Sequence, residues 1–119
     1  LAVDFCKNGG IRAMSMNDAP TLTCLANDFG YDQVFAKQIE YQARQVDILV
    51  IISTSGRSLN IVAAADAART LGCTIFTLSG MNPNNVLRQK GDVNLYIPCV
   101  DYGIVEPANM ILMHSIIEK

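Results

Sequence analysis

The residues best equipped for chemistry are four hydroxyls packed into six positions, Ser53-Thr54-Ser55-Gly56-Arg57-Ser58. Hydroxyls donate to anionic oxygens, a glycine lets a ligand approach the backbone, and an arginine can add charge. Before them stands the apolar run Asp47-Ile48-Leu49-Val50-Ile51-Ile52, and after them an alanine-rich stretch from Leu59 to Leu71. The first reads as a strand buried on both faces and the second as a helix, so the hydroxyls occupy a strand-to-helix junction. A helix start leaves N–H groups without partners and carries partial positive charge, which suits a phosphate. The plain alternative is that Ser58 caps the helix and the rest is a polar turn. The density of hydroxyls favours a ligand.

His114 is the only histidine and lies in an apolar segment, where a histidine is more often a satisfied core residue than a catalyst. Glu106 precedes it by eight residues. On one straight helix that is a rise of about 12 Å, too far for two ligands of one metal. A shared site needs Glu106 before the helix starts, or the two residues from different chains. Glu106 can equally stand beside a proline cap and Asp28 at a helix end. Asp28 and Asp101 are read in loops that face the same sheet edge as Ser53 to Ser58.

These groups need elements to hold them. The opening Leu1-Ala2-Val3-Asp4-Phe5 reads as the tail of a helix ended by Asn8-Gly9-Gly10, and Ile11 to Met16 alternates like a short strand. Asn17-Asp18-Ala19-Pro20 reads as a cap, Thr21 to Ala26 as a short helix, and Tyr31 to Arg44 as a second one. In the latter Val34, Phe35, Gln38, Ile39 and Gln42 form the apolar side. Gly72 stops the alanine-rich helix, and Cys73 to Leu78 is the next buried strand, which makes a right-handed βαβ unit with parallel strands. Ser79 to Asn85 is a loop at the same edge, followed by a short helix from Asn85 to Gln89 and a strand from Val93 to Ile97. Val100 to Val105 reads as a linker. Pro107 suits the first turn of a last helix that runs toward Lys119 and is apolar almost all round, as in a helix buried within a domain or between subunits.

Composition bounds the function. The 119 residues make one domain's worth of chain or slightly less. Half are hydrophobic and 17% charged, enough for a core and against disorder. A net charge of −2 offers no basic field for nucleic acid and no polybasic membrane patch, so an anion must be met locally by loops. Cys6, Cys24, Cys73 and Cys99 are widely spaced and read as free buried thiols of a reducing cytoplasm. No apolar run approaches 18 residues and no signal peptide is visible, so a soluble cytoplasmic protein is expected.

Ser53 to Ser58 with its alanine-rich helix, together with Ala26-Asn27-Asp28-Phe29-Gly30-Tyr31, resembles the sugar isomerase (SIS) domain family, most closely its phosphoheptose isomerase branch. The resemblance covers essentially the whole chain. It implies an α/β fold, a three-layer sandwich with a mainly parallel, doubly wound, flavodoxin-like sheet. Residues 1–119 would form one SIS domain that is incomplete at its N-terminal side. In the family an earlier strand with an Asn-Gly-Gly-Ser loop, and a helix bearing a histidine and a glutamate, would precede Leu1.

The resemblance assigns Ser53, Thr54, Ser55 and Ser58 to the sugar phosphate and Asp28 to a substrate contact. His114 falls on the family's acid/base histidine and zinc ligand. Glu106 falls where the family has a glutamine, as substrate contact and second zinc ligand. It further implies isomerisation of sedoheptulose 7-phosphate to a heptose 7-phosphate through an enediol, for lipopolysaccharide or surface-polysaccharide heptose synthesis, in a homotetramer. The alternative within the family is a non-catalytic protein, a DnaA-binding replication-initiation factor or a sugar-phosphate sensor. An unrelated nucleotide-binding domain would need a Gly-x-Gly-x-x-Gly or Walker loop, which the sequence lacks.

Overall fold

The structure is a computed structural model that describes residues 1–118. Its elements in chain order are α1 (Ala2–Lys7), α2 (Ala19–Phe29), a 3₁₀ turn (Tyr31–Gln33), α3 (Val34–Gln42), β1 (Ile48–Ser53), α4 (Leu59–Leu71), β2 (Thr74–Ser79), α5 (Val86–Lys90), β3 (Val93–Tyr96) and α6 (Tyr102–Ile117). The three strands form a parallel sheet in the order β1-β2-β3, as the βαβ reading expects. The end of the last helix expected at Lys119 lies outside the described residues.

Alternation along the strands sorts the sheet into two faces. Ile51 and Ile75 point to the side covered by α4, α3 and α5, where Ala64, Ala65, Ala68, Ile39 and Leu87 close the main core. Alanines let α4 lie close on the strands and carry the least helix cost. Gly72 ends α4 in the left-handed region (φ 78°), and its N–H returns to the carbonyls of Ala68 and Arg69. Ile52 and Leu78 belong to the opposite face. There α6 crosses the carboxyl end of the sheet, with Ile52 and Met110 lining one cavity. This face stays open at Ile48, Val50 and Val93, which are 65%, 37% and 52% exposed.

Beyond β1, whose apolar run reads as buried on both faces and is open on one, four further expectations change in this fold. Ile11 to Met16 forms no strand, because no other strand pairs with it; the backbone of Ala13 instead both donates to and accepts from the Cys6 thiol. The helix expected from Tyr31 to Arg44 begins as a 3₁₀ turn and ends at Gln42, which is exposed, while Ala36 joins Val34, Gln38 and Ile39 in the interior. The expected linker from Val100 to Val105 is mostly helix. Asp101 caps α6 by accepting from the Gly103 N–H at 2.7 Å, so Pro107 lies inside that helix rather than in its first turn. A proline there withholds the N–H that would reach the Gly103 carbonyl.

The fourth change concerns burial. α6 buries only the stripe Val105, Asn109, Met113 and Ile117, leaving Ile104, Met110, Ile111, Leu112 and Ile116 exposed. Asn109 is fully buried, and neither amide atom has a partner among the described residues. All four cysteines are free, but only Cys73 is buried, while Cys6 and Cys24 are exposed. Among the described residues no helix is long and apolar enough to cross a membrane.

Two carboxylates tie loops to elements and lose their protons more readily for it. Asp18 caps α2, and its pKa is lowered first by the Thr21 hydroxyl and then by the Thr21 N–H. Asp92 accepts from the Ile75 N–H at 2.8 Å and pairs with Arg69 at 2.9 Å, which lowers its pKa in that order. A depressed folded-state pKa adds stability that is complete above the unfolded value and lost as pH falls through the folded one. The urea midpoint is therefore expected to fall between about pH 5 and about pH 3, less steeply in Asp92→Asn. Equal slopes in the two proteins would contradict the role given to Asp92.

Candidate functional site

The parallel pairing of β1 with β2 aligns Ser53 with Ser79, so the loops after both strands emerge side by side at the carboxyl edge of the sheet. The first of these is the hydroxyl loop. It turns back on itself through the Gly56 N–H, which donates to the Ser53 carbonyl at 3.1 Å and to Ser53 Oγ at 3.3 Å. Gly56 sits at φ 62°, a conformation that glycine adopts without a Cβ penalty. Ser58 is the N-cap of α4 by its backbone, whose carbonyl accepts from Ile61 and Val62, yet its hydroxyl makes no capping bond. Ser58 thus holds the N-cap position through its backbone alone.

Ser53, Thr54, Ser55 and Ser58 line one cavity of about 520 Å³, and Glu106 lines it from α6. The sequence expects these five at one site, and all five line this cavity. Asn60 and Tyr102 also line the cavity. The sequence alone points to neither. Asn60 falls two residues into α4, where an amide that lines a cavity has no distinct sequence signal, and Tyr102 stands in a segment whose sequence reads as a linker. The Asn60 carbonyl oxygen of the side chain accepts from the Ile61 N–H at 2.9 Å, which turns that amide toward the helix start.

Other expected site residues stand elsewhere. Arg57 lines a separate cavity of about 240 Å³ on the far side of Ser55, together with Asn82 and Asn84. It does not line the larger one. The fixed positive contribution there is the start of α4, and the one carboxylate is Glu106. Asp28 lies in the last turn of α2, not in a loop, accepts from Asn27 Nδ2 at 2.9 Å, and does not line the hydroxyl cavity. His114 is exposed on α6 two turns beyond Glu106 and does not line it either.

Glu106 lies within α6, so the route to a shared metal site that placed it before the helix is closed. Along the helix the two residues are about 12 Å and about 80° apart. Among the described residues no three His, Cys, Asp or Glu side chains gather where they could hold a metal ion.

The SIS domain family matches residues 8–80, which include the hydroxyl loop and all of α4. The chain belongs to the SIS domain family. A phosphoheptose isomerase of Streptomyces coelicolor is 36% identical over 99 residues, which cover 83% of this chain and 42% of that protein. One from Colwellia psychrerythraea is 36% identical over 111 residues, covering 91% of this chain and 57% of that protein. Among solved structures, a phosphoheptose isomerase from Neisseria gonorrhoeae superposes with a TM-score of 0.89 at 30% identity, over 98% of this chain and 67% of that one. Another, from Francisella tularensis, gives 0.85 at 28% identity over 90% and 58%. The chain spans about half the length of the sequence relatives it matches.

The SIS loop is closed by contact as well as by hydrogen bonds. A Cβ built on Gly56 would come within 2.0 Å of Asn85 Oδ1. Gly56→Ala is expected to destabilise the fold by at least about 1–2 kcal/mol, the cost of a left-handed non-glycine residue alone, as read from urea unfolding. An unchanged midpoint would show that the loop is not held in this shape.

Proposed function

We propose that this SIS domain binds a phosphosugar at the hydroxyl loop and forms part of an aldose-ketose isomerase of the phosphoheptose type. One observation carries the reading: four hydroxyl residues and a carboxylate from a separate helix line a single cavity at a helix start on the carboxyl edge of a parallel sheet. The phosphate would take the hydroxyls of Ser53, Thr54, Ser55 and Ser58 and the free N–H groups at the start of α4. Charge repulsion keeps the phosphate away from Glu106, which then faces the sugar hydroxyls as hydrogen-bond acceptor. The relatives named above are phosphoheptose isomerases, which supports sedoheptulose 7-phosphate as substrate and a heptose 7-phosphate as product.

The reaction moves two protons, one between carbons and one between oxygens. A base takes the proton from the hydroxyl-bearing carbon beside the ketose carbonyl while the carbonyl oxygen gains one, giving an enediol; a proton then returns to the former carbonyl carbon as the neighbouring hydroxyl gives up its own and becomes the aldehyde carbonyl. Binding energy at the phosphate positions the sugar for both transfers. His114 carries the side chain most often used for such a transfer. Since it does not line the cavity of its own chain, it would serve a site completed by another copy or by further chain. The exposed apolar residues around it, Met110, Ile111 and Ile116, suit such a contact. A homotetramer, a cytoplasmic location and a place in heptose synthesis for surface polysaccharide belong to the same proposal.

Zinc does not fit the residues of this chain alone. Glu106 and His114 offer one oxygen and one nitrogen, too far apart for one ion, and a zinc site needs three or four ligands. A site using either residue would draw its other ligands from beyond this chain, and no step of the proposed reaction runs through a metal.

Calorimetry with sedoheptulose 7-phosphate tests the binding, and turnover tests the chemistry. Ser58→Ala is expected to weaken binding about tenfold, the loss of one hydrogen bond to a charged group. His114→Ala is expected to keep binding and lower turnover by about 10²–10⁴. Unchanged affinity in the first would count against the loop, and unchanged turnover in the second against His114.

A further inference from the structure

The hydroxyl loop does not hold its shape alone. Three tethers join it to the segment from Gly80 to Leu87, which runs from the end of β2 into the first turn of α5. The Thr54 carbonyl accepts from the Gly80 N–H at 2.9 Å, and the Gly56 carbonyl accepts from the Leu87 N–H at 2.9 Å. The third is the side chain of Asn85, packed against Gly56 where a side chain would otherwise stand.

Asn85 is 5% exposed, and both ends of its amide are engaged. Its Nδ2 donates to Ser79 Oγ at 3.0 Å, to the Asn82 carbonyl at 2.9 Å and, more weakly, to the Gly80 carbonyl at 3.4 Å. Its Oδ1 accepts from the Arg88 N–H at 2.9 Å and so caps α5. One residue therefore fixes the turn after β2, the start of α5 and the surface on which Gly56 rests. Ser55, between the tethered carbonyls of Thr54 and Gly56, lines both the hydroxyl cavity and its neighbour.

We propose that Asn85 is a positioning residue for the phosphate site: it touches no substrate, and sets the hydroxyl loop through its contact with Gly56. An N-cap role alone would need only Oδ1, and a serine can supply that oxygen. The donors of Nδ2 and the bulk over Gly56 are what a cap does not require. Hydrogen-bond donors around a phosphate act only when held in place beforehand, so a loosened loop lowers affinity without removing any contacting group.

The inference rests on the hydroxyl loop being the phosphate site, and the test separates the two. Inorganic phosphate and sedoheptulose 7-phosphate are titrated against wild type, Asn85→Ala, Asn85→Ser and Ser58→Ala. Asn85→Ser keeps an oxygen to cap α5, so it remains informative if Asn85→Ala fails to fold. Asn85→Ser is expected to retain the far-UV spectrum while phosphate affinity falls about tenfold, with KM raised and kcat within about twofold, the pattern of lost uniform binding. A general structural defect lowers kcat at unchanged KM, and that result overturns the proposal. So does wild-type phosphate affinity in Asn85→Ser while Ser58→Ala loses it. If Ser58→Ala also binds as wild type does, the loop is not the phosphate site and the inference falls with it.

Discussion

Everything at the site depends on the parallel register that sets Ser53 opposite Ser79. Parallel strands point their carboxyl ends the same way, so each hands its chain to a loop at one common edge. Because the two strand ends are level, the Gly80 N–H can reach the Thr54 carbonyl, and the segment from Gly80 to Leu87 becomes the wall against which the hydroxyl loop is shaped. A slip of one residue would reverse the faces of the strand and remove the loop's support at the same time.

The core that fixes this register is built from small and branched side chains. Ala64, Ala65 and Ala68 bring α4 close over Ile51 and Ile75, so the start of α4 falls beside the end of β1. That proximity delivers the helix N-terminus to the hydroxyls. On the other face α6 brings Glu106 to the same cavity, anchored by Val105 against Gly80, where a Cβ would come within 2.8 Å of the valine. The carboxylate and the hydroxyl loop thus come from opposite faces of one sheet and meet at its edge.

Much of this was legible in the sequence because it rests on local signals. The run from Ile48 to Ile52, the hydroxyls and the alanines define a strand, loop and helix within about one βαβ unit, and periodicity alone places them. What was not legible depends on contacts between distant segments. Ile11 to Met16 has the alternation of a strand, but a strand exists only with a partner for its backbone, and none of the described strands supplies one. Pro107 looked like a helix start, and the actual start lies at Asp101, whose carboxylate takes the Gly103 N–H. Asn85 looked like one turn former among several; that its amide binds three backbone or side-chain acceptors and packs on Gly56 follows only from the fold. His114 and Asp28 matched by motif, and neither reaches the cavity that the serines and Glu106 form.

The proposed function requires an anion held at the junction of β1 and α4. Titration of inorganic phosphate into isotopically labelled protein, followed by amide proton and nitrogen shifts, tests it directly. The account predicts saturable shifts that are largest at the amides from Ser55 to Asn60. Saturable shifts centred elsewhere, with those amides unmoved, would contradict it.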